Sequence, residues 1–430
     1  MTTNKPIRVL IAGAGIAGLA AAISLTRIAR IPDLDIQLYE QAPELLEIGA
    51  SIALSPNGMR TLEKLGVHNA LSDERGYRGS SGIPQIFRHW KTNQVVSVDT
   101  HRDVPDPRHH TTRFHRGHLH AALLEHVPRE SIHLGKKLLR AESGGDGVKV
   151  YFEDGSTAQG DILIGADGLK SKVRQSFLPG YTLRFTGKVY MRSTFDASLV
   201  EGIPDLPDDS MHWWGPEDNF FASRLGKNTY TTVGAYSTPL NSTQLQSQNI
   251  NWDSRGDVAF LRERFKSWHP LIQALTRATP HTNLYPNFTG DAIDTWVFGP
   301  GKGNVTLVGN AAHAHGGAFA AGGSLALDDA FALGLAFRKA FGELKSASGL
   351  VDQVGKALKL YEKTRQPHTD RLIRIVHAQL HAKSSERGTD EEENERLVKR
   401  MRGRPDTVWL SEHDVEAAFD EVVRAGRSKL

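Results

Sequence analysis

Three glycines spaced G-x-G-x-x-G, Gly13, Gly15 and Gly18, sit between an apolar run, Val9–Ala12, and an Ala- and Leu-rich segment, Leu19–Ile28. In that setting the first glycine makes a tight turn, the second lets backbone approach a pyrophosphate, and the third packs helix against strand. Glu40 closes a second apolar run, Ile36–Tyr39, at the place where a carboxylate accepts from ribose hydroxyls. Together these residues spell a dinucleotide site. A second glycine-rich stretch, Gly309–Gly323, follows another apolar run, Asn304–Val308. Small residues from Ala320 to Gly323 ahead of a helix are costly in chain entropy. Their use is to turn backbone N–H groups and a positive helix end toward a group that becomes anionic. Arg116, at the opening of a further helix, is a candidate anion contact. There are no cysteines, so any electron chemistry uses a borrowed cofactor, and there is no thiolate metal site.

The elements that must position these residues follow from periodicity. Val9–Ala12 and Ile36–Tyr39 read as buried parallel strands, joined by the helix Leu19–Ile28. Val148–Phe152 and Asp161–Gly165 read as strands of the same sheet. Ser55-Pro56-Asn57-Gly58 is a turn before a helix with Met59, Leu62 and Leu65 on one face. The stretch Gly76–Val98 reads as strands, Asp103–His110 as a Pro- and charge-rich loop, and Phe185–Phe195 and Asn219–Tyr236 as antiparallel strands with one buried face. Asp253–Leu275 is helical with a break at Pro270. Ser324 is placed to cap a helix Leu325–Phe341, and Leu350–Leu360, Arg371–Leu380 and Val415–Val423 are further helices. The charge run Asp390–Arg396 is expected to be a solvated linker or helix face. At 430 residues with 39% hydrophobic and 23% charged residues the chain reads as an ordinary globular protein of more than one domain. A net charge of +3 without a long basic run argues against nucleic acid as a partner. No apolar run reaches about 18 residues, so no membrane span is expected. The N-terminal segment lacks a secretory cleavage pattern, and the expectation is a cytoplasmic enzyme.

Taken together, the chain resembles the single-component FAD-dependent aromatic hydroxylases, the group that includes salicylate hydroxylase and p-hydroxybenzoate hydroxylase. The resemblance runs over roughly residues 7 to 375. It rests on the glycine motif with Glu40, on Asp167-Gly168…Ser171…Val173-Arg174, on Gly309-Asn310-Ala311-Ala312-His313 continuing to Gly323, and on Tyr361-Glu362…Arg365…Pro367. It implies an α/β fold: a Rossmann-like FAD-binding domain with an inserted antiparallel-sheet (α+β) substrate domain and C-terminal helices. The expected boundaries are 1–75, 106–178 and 291–345 for the FAD-binding domain, 76–105 and 179–290 for the substrate domain, and 346–430 for the C-terminal helices. Within the family, His315–Gly323 is most similar to fungal enzymes that oxidatively dearomatise polyketide phenols.

Carried over residue by residue, the resemblance implies that Glu40 holds the adenosine ribose and Ala53 a backbone contact to the cofactor. Arg116 would bind the pyrophosphate or ribityl region, and Asp167 with Arg174 would support FAD and the passing nicotinamide. Asn310 would hydrogen-bond a ribityl hydroxyl, and Gly322 and Gly323 would present N–H groups to the flavin edge. Three positions depart from the family pattern: Asn310 stands for Asp, Gly317 for Pro, and Ser51 for Gly. The implied chemistry is reduction of non-covalent FAD by NAD(P)H, with NADPH favoured, addition of O₂ at flavin C4a, and attack on that oxygen by an electron-rich ring carbon. A phenolate is the better nucleophile, and a fixed cation favours it by lowering the phenol pKa. Arg192 sits where the family has such a cation; its other reading is a sheet-edge charge paired with a carboxylate. Tyr230 is a second catalytic candidate, and His315 a candidate for the substrate pocket. The expected partners are a small phenolic substrate and O₂, in a monomer or homodimer. The rival readings are simple or decarboxylating ring hydroxylation, a Rossmann NAD dehydrogenase that would leave Gly309–Gly323 idle, a flavin halogenase, whose W-x-W-x-I-P is missing, and a non-enzymatic escort protein.

Overall fold

A computed structural model of the chain describes residues 6–31, 33–45, 50–238, 254–342, 350–381 and 389–427. The run Ile7–Ala12 is a strand whose Val9, Leu10 and Ile11 are fully buried, because it lies in the middle of a sheet covered on both faces. Six strands form that sheet, in the order Val297–Phe298, Val305–Leu307, Ile162–Gly165, Ile7–Ala12, Leu34–Tyr39, Ile132–His133. All neighbours are parallel except the first pair. The helix Ile16–Arg27 crosses from the first strand and packs against the long helix Gly322–Gly342. One expected member is elsewhere. Gly147–Phe152 is the middle strand of a separate antiparallel sheet with Leu138–Gly144 and Thr157–Gly160. Its residues alternate between part-exposed and buried, the pattern of a strand with one face to solvent, and this alternation distinguishes it from the continuous burial of Ile162–Gly165.

The second large sheet has eight strands, in the order Ser254–Arg255, Asn283–Gly290, Leu183–Asp196, Thr229–Ser237, Asn219–Leu225, Met211–Trp214, Ile86–His89, Val95–Val98. One face carries Met191, Phe195, Trp213, Phe220 and Tyr230 and packs on the helices Val258–Arg264 and Pro270–Ala278 through Leu261, Phe265 and Ile272. Pro270 begins the second of these helices at its first turn, where a missing N–H costs nothing. The expected start of this region, Asp253, lies outside the described residues. The other face of the sheet turns toward a small three-stranded sheet made of Ser51–Leu54, Thr112–His115 and Gly76–Tyr77. Thr231 Oγ1 donates to Ser51 Oγ at 3.2 Å across this boundary.

The C-terminal part differs from expectation in two ways. Leu350–His381 is one helix that continues through Pro367, where two helices were expected. The proline removes one ladder hydrogen bond, and the burial of Leu358, Tyr361, Arg365 and Leu372 on either side holds the helix together. The charge run becomes the start of the helix Asp390–Arg402, opened by a capping box between Thr389 and Glu392. This helix lies on the edge of the eight-stranded sheet, with Leu397 and Met401 against Phe87. No described helix is long and apolar enough to cross a membrane.

The centre of the fold is ionic. Asp328 and Asp329, fully buried on the helix Gly322–Gly342, are adjacent acids in an otherwise apolar segment. Asp329 accepts from Gly309 N at 2.9 Å, from His313 Nε2 at 2.6 Å and from Arg365 Nε at 2.9 Å. Asp328 accepts from Asn57 Nδ2 and Thr61 Oγ1, both at 2.8 Å, with Arg365 Nη2 at 3.9 Å. Burial pushes the Asp329 carboxyl up, but His313 and Arg365 outweigh it and hold its pKa at about 2. A depressed carboxylate stabilises the fold above its unfolded pKa and loses that contribution as pH falls through the folded value. The Asp329 contribution is therefore complete above about pH 4 and is lost as the pH approaches about 2. Arg365→Leu leaves two buried carboxylates without their cation, and urea unfolding at neutral pH should show a loss of about 3–5 kcal/mol. A loss under about 1 kcal/mol, the range of an exposed pair, would show that the network is not what holds these elements.

Candidate active site

The glycine turn is built so that only glycine fits. Gly13 has φ +101°, and a Cβ there would lie 2.7 Å from the Ala166 carbonyl oxygen; one on Gly18 would lie 1.9 Å from the carbonyl oxygen of Gly13. Above Gly15 the nearest heavy atom to such a Cβ is Arg116 Nη2 at 3.8 Å, so open space with a guanidinium beside it faces the helix N-terminus. Glu40 is fixed at the mouth of this space, its two carboxylate oxygens accepting from Ala14 N and Ala42 N, each at 2.9 Å. Burial lowers the Arg116 pKa and the Glu40 charge raises it. The arrangement fits a pyrophosphate between Gly15 and Arg116, with a ribose at Glu40.

Asp167 and Arg174 brace this region from behind. Asp167 Oδ2 accepts from Lys172 N at 2.6 Å and Val173 N at 3.1 Å, while Oδ1 is buried without a partner; burial raises its pKa. Arg174, 1% exposed, stacks on Tyr181 and donates to the carbonyls of Leu169, Asn310 and Ala311. Its guanidinium thus clamps the turn that holds position 310. The Asn310 side chain itself is exposed at the end of the strand Val305–Leu307, free to meet a hydroxyl as an amide donor or acceptor.

The second glycine stretch makes a left-handed loop. Gly316, Gly317, Phe319 and Ala320 have φ of +68°, +66°, +55° and +53°. Proline cannot adopt the value at Gly317, and this accounts for the departure from the family pattern at that position. Phe319 and Ala320 carry the strain of a conformation that non-glycine residues rarely adopt. The helix then starts at Gly322. Ser324 does not cap it: its Oγ accepts from Ser55 N at 2.9 Å, tying the helix to the segment after Ser51–Leu54. A Cβ on Gly323 would strike Ile52 and Leu54 at 2.8 Å, so the strand bearing Ala53 lies directly against the helix start. His315, 1% exposed, has its Nε2 3.6 Å from the Cβ position of Gly322, and neither ring nitrogen has a hydrogen-bond partner among the described residues. Burial and His313 push its pKa to about 3, so the imidazole is neutral.

Arg192 lies on the face of the eight-stranded sheet opposite the one that carries Met191 and Phe195. It lies on a central strand, paired with Val233 on one side and Asn283 on the other, so the sheet-edge reading does not apply. No carboxylate among the described residues is within ion-pair distance, and Nε is buried without a partner. Instead the guanidinium lies 5.4 Å from the rings of both Tyr190 and Tyr285. Tyr285 also acts electrostatically on Arg116. Burial lowers the Arg192 pKa and raises that of Tyr190, which keeps Tyr190 a neutral phenol beside the cation. Tyr230 is not part of this group. It pairs with Phe195 on the opposite face of the sheet, 2% exposed in the apolar core, because it stands an odd number of residues from Val233. Sequence reasoning missed Tyr190 and Tyr285. Tyr190 was accessible in principle, since it is two residues from Arg192 on the same strand; Tyr285 becomes a neighbour only through strand pairing.

Residues 6–376 match the model of a protein family described as the FAD binding domain. The chain is 29% identical over 382 residues to 6-hydroxynicotinate 3-monooxygenase of Bordetella bronchiseptica, covering 87% of this chain and 91% of that one. It is 28% identical to 6-methylsalicylate 1-monooxygenase of Aspergillus terreus, over 73% of this chain and 71% of that one. A solved salicylate hydroxylase substrate complex superposes with a TM-score of 0.76 at 20% identity, covering 97% and 98% of the two chains, a likeness of fold. With no cysteine to form a thioether, acid precipitation should release all FAD into the supernatant; colour left on the pellet would contradict non-covalent binding. Glu40→Ala should weaken FAD retention about tenfold, one charged hydrogen-bond acceptor being lost, with the unfolding curve little changed. Equilibrium dialysis measures it, and unaltered affinity would remove Glu40 from the cofactor contacts. The matched family model and the relatives show that the chain belongs to the FAD-binding-domain family, as an FAD-dependent aromatic monooxygenase of the salicylate and hydroxybenzoate hydroxylase type that uses NAD(P)H as co-substrate.

Proposed function

We propose that the substrate is a phenol bound as its phenolate at Arg192, and that the reaction is hydroxylation with oxidative dearomatisation of a polyketide phenol. The observation that carries this reading is the part-exposed Arg192 side chain, whose Nε is buried, with two tyrosine rings beside the guanidinium and no carboxylate paired with it among the described residues. A buried cation without a counter-ion is costly, and an anionic ligand relieves that cost as it binds. The same field lowers the phenol pKa from its ordinary value near 10 and holds the nucleophilic form. FAD, when bound, supplies the reducing equivalents taken from NAD(P)H, with NADPH the proposed donor, and activates O₂. Arg192 orients the ring, Tyr190 and Tyr285 fix the guanidinium, and neutral His315 forms the wall beside the helix start.

A second reading, ring or decarboxylating hydroxylation of a salicylate, draws on the relatives, one of which is named for 6-methylsalicylate. The two differ in products: mass spectrometry on a panel of substituted resorcylaldehydes and salicylates distinguishes a dearomatised hydroxydienone from a catechol formed with loss of CO₂.

Arg192→Gln separates activation of substrate from activation of oxygen. The variant should retain FAD and still oxidise NAD(P)H, with product per NAD(P)H reduced about ten- to a hundredfold and the balance appearing as H₂O₂. Arg192→Lys should recover only part, since a point charge lacks the planar two-pronged donor. Wild-type coupling in Arg192→Gln would assign the phenolate to another partner, with Tyr285 and His315 next in place.

A further inference from the structure

Strand register puts four side chains in a single row across the face that carries Arg192. Arg192 pairs with Val233, Val233 with Phe221, and Phe221 with His212. All four are part-exposed, whereas Met191, Gly234, Phe220 and Met211, which precede or follow them along their strands, are buried. The row is therefore an accessible floor and not part of the core. Three strand spacings of 4.7–4.9 Å separate its ends, about 14 Å. That is longer than a single benzene ring with its substituents.

The far end of the row has its own chemistry. The His212 ring is surrounded by Phe87, Trp214 and Phe221, with centroids at 5.6, 5.8 and 6.1 Å. It makes no hydrogen bond to any described residue. Two cations stand near it, and both are occupied. Arg113 donates to Ser210 Oγ, to Gln85 Oε1 and to Pro84 O, and lies over Phe221. Arg404 is held by Asp99 and Ser97 and lies over Phe87 at 3.2 Å. Burial, Arg404 and Arg113 together push the His212 pKa to about 3, so it offers one N–H donor and one acceptor at working pH. An apolar enclosure with one unspent neutral imidazole suits a neutral oxygen, and the occupied arginines leave no cation for a carboxylate. Arg404 also lies beyond residue 376, where the family match ends, so this end of the floor is finished by the C-terminal segment.

We infer that His212 is a second anchor for substrate: the phenol is more than one ring long, runs past Val233 and the part of Phe221 that Arg113 leaves uncovered, and presents a carbonyl or hydroxyl oxygen to His212 at the end remote from the phenolate. This deepens the phenol reading and rests on it. The test uses the FAD-loaded protein and two probes of one skeleton whose phenols are equally acidic because the carbonyl is not conjugated to them, 3-(4-hydroxyphenyl)-1-phenylpropan-1-one and its analogue with CH₂ in place of the carbonyl, 1-(4-hydroxyphenyl)-3-phenylpropane. Binding is read by calorimetry and by perturbation of the flavin spectrum, neither of which needs turnover. The ketone should bind about tenfold more tightly than the analogue, the value of one buried hydrogen bond. His212→Phe should bring the ratio close to one, and His212→Gln, which keeps a donor and an acceptor, should restore part of it. Flavin content and the unfolding midpoint verify that each variant is folded. Equal binding of the two probes to the wild type, or an unchanged ratio in His212→Phe, overturns the second anchor. Failure of both probes and of simple salicylates to bind the wild type, or binding unaffected by Arg192→Gln, instead overturns the phenol reading beneath it.

Discussion

The Asp329 carboxylate is the constraint on which the site depends. It lies on the helix Gly322–Gly342 and accepts from the backbone of Gly309, the ring of His313 and the guanidinium of Arg365. One buried anion therefore joins the helix whose start faces the flavin loop, the turn after the strand Val305–Leu307, and the long helix Leu350–His381. Removing two charges from water is expensive unless each hydrogen-bonding position is filled. Here Asn57, Thr61 and Gly309 fill carboxylate positions that Arg365 and His313 do not, while both Nη atoms of Arg365 are buried with no hydrogen-bond partner among the described residues. The result holds the turn that bears Asn310 against the helix that starts at Gly322.

With the loop fixed, the chemistry is divided between two sheets. The parallel sheet supplies the ends of strands where a dinucleotide meets helix N-termini. The antiparallel sheet supplies a face on which alternate residues point at that cofactor region. The period of two puts Arg192 and Tyr190 on one face and Met191 and Tyr230 on the other, in the core. The two parts meet, among other places, where Thr231 reaches Ser51, where Arg113 donates to Ser210 Oγ, and where Thr289 Oγ1 donates to the Ala314 carbonyl at 2.9 Å. A cation left without a carboxylate in such a junction is a destabilising feature, retained where binding an anion offsets it.

Beyond the family match, the C-terminal segment is joined to both parts. Lys64 pairs with Glu416, Arg102 N and Asp103 N donate to Glu412, and Arg404 covers Phe87. Leu410 reaches the small cluster with Ala321, Leu325 and Leu372 beside the loop. These contacts couple the outer edge of the eight-stranded sheet to the cluster beside the helix start.

Sequence by itself determined the dinucleotide cradle, because Gly13, Gly18 and Glu40 act through local geometry: a positive φ, a close helix–strand approach and a strand end. It also determined the helix after Pro56 and the amphipathic strands of the substrate sheet, since burial there follows a local period. Asp328 and Asp329 were visible only as two acids in an apolar helix; their partners lie on three other segments, and no local pattern names them. The same holds for Gly147–Phe152, whose strand character was legible but whose sheet was not, because pairing is chosen by distant residues. Tertiary structure alone decided that Tyr230 faces the core and Tyr285 the site, that Ser324 ties to Ser55 instead of capping its helix, and that Leu350–His381 continues through Pro367. In each case the local preference is worth about 1–3 kcal/mol, and packing across the chain outweighs it.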